Sequence, residues 1–221
     1  TFTDTAYSRG YYRQPGIATE AHAAAWQPVV DAVHDAGARF VMQLMHAGAQ
    51  SQYNDYADVN VGPSAVAPYG ETNPIYHGNG EPYPVPEALT KTGIIEVIDG
   101  FVAAAQRAMQ TGFDGVEIHG ANGYLLEQFL SPDVNKREDA WGGDIEHRAK
   151  FVLEVARRSA EAIGASKVGI RLSPHGVFNG ITPWENLAEE YTWLAGKLGE
   201  YGVRPAAFGQ SGKVEKAGDP G

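Results

Sequence analysis

Three short apolar runs, set apart by long amphipathic stretches, restrict the fold of this chain more tightly than any other feature of the sequence. Arg39 to Leu44 (RFVMQL), Asp114 to His119 (DGVEIH) and Lys167 to Leu172 (KVGIRL) have strand length and are bounded by glycine or polar residues, as buried strands of α/β proteins are. Between them, apolar residues recur at helical spacing. Thr19 is placed to cap a first helix with Trp26, Val29, Val30 and Val33 on one face, ending at Gly37; Pro28 is expected to kink it or delay its regular part. Ile95, Ile98, Val102, Ala105 and Met109 mark a second helix, ended by Gly112. Asp144 caps a third, through Ala149, Val152, Ala156, Ala160 and Ile163, stopped by Gly164. Thr182-Pro183-Trp184-Glu185 reads as a capping box with proline at the first helical position, opening a fourth helix through Leu187, Tyr191 and Leu194.

Strands that alternate with helices form parallel sheets joined by helical crossovers. A closed barrel and an open doubly wound sheet both satisfy that pattern. A dinucleotide-binding open sheet carries G-x-G-x-x-G in its first βα turn, and none is present. The favoured reading is therefore an α/β chain of the (β/α)8 TIM-barrel type.

Strand alternation then separates two faces. Phe40, Met42 and Leu44 share one face with Val116, Ile118, Val168, Ile170 and Leu172. Barrel helices lie outside, so these apolar sets should point outward. Gln43, Glu117, His119 and Arg171 then point inward, with Gln43, His119 and Arg171 near the carboxyl ends of their strands, where such barrels build active sites. A glutamine, a histidine and an arginine converging there make a polar site rather than a packing solution. Glu117 and His119 share a face, but no third ligand follows at a recognisable metal-site spacing. Ala47 to Leu89 is a long segment rich in Tyr, Asn, Gly and Pro, and loops of that length in a compact domain commonly cover a binding site.

Composition excludes several classes. With 17 Lys and Arg against 27 Asp and Glu, the formal net charge is −10, the wrong sign for a nucleic-acid binder. No apolar run approaches the ~20 residues of a membrane span. Cysteine is absent, so these residues offer no disulfide, thiolate nucleophile or Cys-based metal site. A soluble cytoplasmic enzyme or binding domain is expected.

The run from His119 to Pro132, HGANGYLLEQFLSP, is followed by Asn135-x-Arg137-x-Asp139-x-Trp141-Gly142-Gly143 and Glu146-x-Arg148. Together with Val168-Gly169-Ile170-Arg171-Leu172-Ser173-Pro174, this closely resembles the old yellow enzyme family of FMN-dependent ene-reductases. Pro15-Gly16-Ile17, Trp26-x-Pro28, Gln43-Leu44 and Gly112-Phe113-Asp114-Gly115 are similar too, so the likeness runs from roughly residue 8 to residue 200. The resemblance implies FMN as cofactor, NAD(P)H as reductant and a small-molecule enone or enal as substrate, in ping-pong order. It implies that Gln43 bonds the pyrimidine edge of the flavin and that Arg171 faces its N1–O2 edge. It further implies that His119 and Asn122 grip the substrate carbonyl oxygen. Hydride then passes from flavin N5 to the β-carbon, and Tyr124 protonates the α-carbon from the opposite side. Met45 stands where many ene-reductases carry Trp, implying a softer wall to the substrate pocket. Asn135, Arg137, Asp139 and Arg148 are assigned to a structural network.

The domain is expected to span residues 1–221 as a single incomplete-looking barrel, with 47–89 as a loop or lid over the site and 203–221 as an atypical tail. The opening residues offer at most a fourth strand. A further strand is expected after Gly202, yet 203–221 lacks an apolar run of strand length. Gly209-Gln210-Ser211-Gly212-Lys213 departs from the phosphate-loop spacing. Were these residues the whole polypeptide, FMN would be held weakly, for want of the family's usual phosphate loops, and copies would associate into a homo-oligomer through exposed strand edges. Two rival readings accompany the main one: a dienoyl-CoA-reductase-like branch of the same superfamily, and a truncated, non-catalytic barrel that binds a ligand or partner without flavin.

Overall fold

The computed structural model describes residues 1–76 and 80–208. In chain order its elements are α1 (Glu20–Asp35), β1 (Val41–Leu44), β2 (Val61–Gly62), β3 (Glu87–Ala88), α2 (Lys91–Gln110), β4 (Gly115–Gly120), α3 (Leu125–Leu130), α4 (Ile145–Ile163), β5 (Val168–Leu172), α5 (Leu187–Glu200) and β6 (Arg204–Phe208). Local chemistry starts the long helices. Thr19 accepts from the His22 amide at 3.2 Å, Thr90 from Gly93 at 3.0 Å and Asp144 from His147 at 3.0 Å, each satisfying an amide that the first helical turn cannot. No helix among the described residues is long and apolar enough to cross a membrane.

Two helical expectations need correction, and α1 is helical from Glu20, so Pro28 does not delay it. The capping box at Thr182 does not form: the Thr182 hydroxyl donates instead to Asp133 Oδ2 at 2.7 Å, and α5 begins only at Leu187, after Asn186 at φ +63°. α1 continues through Pro28, which lies on the exposed side of the helix with Ala24, whose carbonyl loses its partner there. The buried face of α2 is rotated by about one residue from the aliphatic stripe. It comprises Ile94, Val97, Ile98, Phe101, Ala104, Ala105 and Ala108, while Ile95 is exposed. The alanines let α2 lie close against α4, a contribution that counting large aliphatics misses.

The main sheet has the order β1-β4-β5-β6, all parallel. Each successive strand is added on the same side, with no reversal of order, as in a barrel and unlike a doubly wound sheet. Met42, Leu44, Val116, Ile118, Val168, Ile170 and Leu172 are buried in one cluster with Ile94, Phe101, Phe151 and Leu194 of the helices. Each fully buried side chain of this size contributes roughly 1.5–3 kcal/mol. The opposite face carries Val41, which is exposed, and the half-buried Gln43, Glu117 and Arg171. Helices therefore cover one face only, and the described strands form an arc of a (β/α)8 barrel.

β6 corrects the reading of the tail. Arg204–Phe208 pairs in parallel with β5, with a register shift between Ile170 and Arg171. Its sequence, RPAAF, has neither alternation nor length, and Pro205 is tolerated because it stands on the outermost described strand. Residues 209–221, with the Gly209–Lys213 stretch, lie outside the described residues. At the other end Phe2 makes only isolated bridges, to Gly16 and Met45, in place of a strand.

The segment 47–89 has a frame of its own. β2 and β3 pair in parallel, Val61 with Glu87 and Gly62 with Ala88. Arg137 clamps it from outside, donating to the carbonyls of Pro63 and Leu89 at 2.9 and 2.7 Å while engaging Asp139 through two nitrogens. Asn135 ties Phe129 to Trp141, and Arg148 joins Leu130, Gly143 and Glu190. These four residues form the structural network expected of them.

Candidate active site

Register sets the site. Gln43 of β1 stands beside Glu117 of β4, which stands beside Gly169 of β5, and two residues further along His119 stands beside Arg171. All the side chains named share the inner face. That concave face bounds a cavity of about 880 Å³ lined by Val41, Gln43, Glu117, Gly169 and Arg204 among others. The cavity lies toward the amino ends of the strands, and of the predicted site residues only Gln43 lines it; His119 and Arg171 stand beyond it, toward the carboxyl ends.

His119 is 3% exposed, and its Nδ1 has no hydrogen-bond partner among the described residues; nor has the buried Nε of Arg171. Burial, reinforced by the Arg171 guanidinium, lowers the His119 pKa to about 4. At neutral pH the ring is uncharged and carries one N–H. Gln43 donates to Glu117 Oε2 at 2.6 Å, leaving its amide oxygen outside that bond.

Beyond β4 the chain makes a sharp turn. Asn122 and Gly123 both adopt positive φ, +58° and +75°. The Asn122 amide donates to Ser173 Oγ at 3.0 Å, and the Gly123 amide to Glu127 Oε2 at 2.6 Å. The Gly123 carbonyl accepts from Gln50 and Gln128, each at 2.7 Å. A Cβ at position 123 would overlap the Gln50 amide and press on Phe178, so only glycine fits. Tyr124 closes the turn as the residue preceding α3. Its hydroxyl is 2.5 Å from that of Tyr11, and its ring centre 5.1 Å from that of His119. Met45 is buried past the end of β1, where its sulfur accepts from Gln14 Nε2 at 3.4 Å.

The structure thus gathers His119, Arg171 and Tyr124 at one rim, places Asn122 on the turn between them and sets Gln43 two residues deeper. Sequence reasoning missed four participants: Tyr11, Gln50, Glu127 and Ser173. Glu127 left a signal, as an acidic residue inside the apolar hexapeptide LLEQFL, all of whose residues are buried. Tyr11 left none, since its partner lies 113 residues away.

Chemically, the rim offers a neutral imidazole, a side-chain amide, a guanidinium and a phenolic pair. The unpartnered buried Nε of Arg171 and the amide of Gln43, on the same half-buried face, fit a planar group with hydrogen-bonding atoms along one edge, while the unpartnered Nδ1 of His119 stands beside them. FMN is such a group, and the residues present are compatible with it.

Residues 2–203 match the NADH:flavin oxidoreductase / NADH oxidase family. The chain is 40% identical over 207 residues to 12-oxophytodienoate reductase 2 of Arabidopsis thaliana, covering 91% of this chain and 53% of that protein. Among solved structures, morphinone reductase in complex with tetrahydroNAD superposes with a TM-score of 0.82 at 38% identity, over 92% of this chain and 57% of that one. The old yellow enzyme homologue from Zymomonas mobilis gives a TM-score of 0.83 at 34% identity, over 89% and 54%. The chain spans about half the length of the curated relatives it matches.

Proposed function

Because the chain belongs to the NADH:flavin oxidoreductase / NADH oxidase family, the family of the old yellow enzymes, we propose that its protein is an FMN-dependent ene-reductase. It would take reducing equivalents from NAD(P)H and saturate the activated C=C of an α,β-unsaturated ketone or aldehyde. The observation that carries this reading is the pair of buried, unpartnered nitrogens, His119 Nδ1 and Arg171 Nε, on residues paired across β4 and β5, with the Tyr124 ring of the Tyr11–Tyr124 hydroxyl pair beside His119.

FMN, when bound, supplies the hydride. Gln43 and Arg171 would hold it, the amide by donating and accepting, the fixed guanidinium by favouring negative charge on the group beside it. His119 and Asn122 would share the substrate carbonyl oxygen. A histidine that is neutral at pH 7 holds that oxygen without surrendering its proton, and two such donors stabilise the charge that develops as the conjugated bond is attacked; one donor of this kind is worth roughly 10²–10³ in kcat. Tyr124 would deliver the proton to the α-carbon, with Tyr11 bonded to the hydroxyl that gives it up. Met45 would form an adaptable wall. The 47–89 segment would cover the substrate, a role supported by the Gln50 bond to Gly123 and by the buried Tyr83, whose hydroxyl is raised by burial and then by Tyr124.

Titration of the FMN-loaded protein with 4-chlorophenol tests this directly. Phenolate bound against His119 and Asn122 should give a long-wavelength charge-transfer band. The band should vanish in the His119→Ala/Asn122→Ala double variant; its persistence there would place the oxyanion site elsewhere.

A further inference from the structure

Glu127 is an ionisable group that none of these roles uses, and it is 1% exposed. Its Oε2 accepts the Gly123 amide at 2.6 Å, and the Ser173 hydroxyl lies 2.9 and 3.0 Å from its two oxygens. Ser173 Oγ in turn accepts the Asn122 amide at 3.0 Å. Two consecutive amides, both in the left-handed region, are therefore held by one carboxyl, one directly and one through a hydroxyl. Tyr191 of α5 is buried, its hydroxyl has no hydrogen-bond partner among the described residues, and its pKa is raised by burial and then by Glu127.

This arrangement is costly. Burial raises the Glu127 pKa to about 7 against the help of Gly123 and Ser173. An apolar side chain would complete the all-buried α3 without that cost, but would leave the Gly123 amide and the Ser173 hydroxyl without their acceptor. Left-handed backbone costs less at asparagine than at other non-glycine residues, but Asn122 still needs its surroundings to hold it there. Glu127 and Ser173 are the groups that do so on the amide side, and Gln50 and Gln128 on the carbonyl side.

We propose that Glu127 is a positioning residue for the carbonyl-binding site: through Gly123 and Ser173 it fixes the turn so that Asn122 can meet the same oxygen as His119. This rests on the ene-reductase reading and adds to it a buried carboxyl bonded to the turn that carries Asn122.

The test uses 4-chlorophenol affinity of the FMN-loaded full-length protein, read from the charge-transfer band. Glu127→Leu should weaken binding at least tenfold with FMN occupancy retained, and Glu127→Gln, which keeps an acceptor for Gly123, should recover most of the loss. Ser173→Ala, which leaves the carboxyl but cuts the link to Asn122, should also weaken binding about tenfold. A merely structural role would lower thermal stability and flavin occupancy while leaving the affinity of the loaded fraction unchanged. Affinities within twofold of wild type in Glu127→Leu and Ser173→Ala overturn the proposal, and if Glu127→Leu does not fold, Ser173→Ala decides alone. A wild-type protein that gives no band refutes the ene-reductase reading instead, so the two failures are distinguishable.

Discussion

Replacing Glu127 by Gln should change how stability depends on pH, by an amount that follows from where the carboxyl sits. Its pKa is raised by burial from 4.5 to about 7 in the folded chain. Between those values the folded state binds a proton that the unfolded state releases. The stability this group contributes is therefore fully present below pH 4.5 and lost as pH rises through 7. At about 1.36 kcal/mol per pKa unit, the change is about 3 kcal/mol. His119 works in the opposite sense. Its pKa falls from 6.5 to about 4, so its contribution is present above pH 6.5 and lost on acidification, again by about 3 kcal/mol. In the wild-type protein the Glu127 slope opposes that of His119 between pH 4.5 and 6.5. Glu127→Gln removes the opposing slope, so the variant should lose more stability on acidification than the wild type does. Urea unfolding followed by tryptophan fluorescence at pH 5, 6, 7 and 8 measures the difference between the two proteins. That difference should grow in the variant's favour by 2–3 kcal/mol from pH 5 to pH 8, an estimate from the same linkage relation. Parallel stability curves would refute the assignment of Glu127 as a buried carboxyl protonated in the folded state at mildly acidic pH.

Tyr124→Phe should leave flavin reduction by NAD(P)H nearly intact and slow reoxidation by an enone by about 10²–10⁴, the usual worth of a positioned acid; equal slowing of both half-reactions in stopped flow would exclude Tyr124 as the proton donor. Tyr11→Phe removes the hydroxyl 2.5 Å from Tyr124 and should slow the same half-reaction by a smaller factor, roughly tenfold for one hydrogen bond. Gly123→Ala places a Cβ on the Gln50 amide at φ +75°. It should lower stability by about 2 kcal/mol or more and weaken phenol binding along with it, whereas a variant with unchanged Tm would show that the turn is not held as described.

The parts of this molecule that were legible in its sequence are those set by near neighbours. The three apolar runs became β1, β4 and β5 within two residues at their ends, and Thr19 and Asp144 cap their helices because the amides they satisfy lie three residues away. Inward placement of Gln43, His119 and Arg171 followed from alternation alone. What stayed hidden was set by distant partners. Thr182 had every local reason to start a helix, yet Asp133, 49 residues earlier, takes its hydroxyl. β6 could not be read from RPAAF because its pairing comes from β5 rather than from its own pattern. The buried face of α2 was misjudged by ignoring alanine, whose small size decides how closely α2 meets α4. Around the turn after β4, the resemblance pointed to His119, Asn122 and Tyr124; Ser173 stood in its motif without an assigned role, and Tyr11 and Gln50, which reach the turn from other parts of the chain, had no local signal.

One anaerobic experiment bears most directly on the central claim. The FMN-loaded protein is reduced with one equivalent of NADPH or NADH, the loss of flavin absorbance is recorded, and cyclohex-2-enone is then added. An ene-reductase with the donors described should regain its oxidised flavin spectrum in step with the formation of cyclohexanone. Flavin that stays bleached in the presence of the enone, while free oxidants still restore it, would contradict the account.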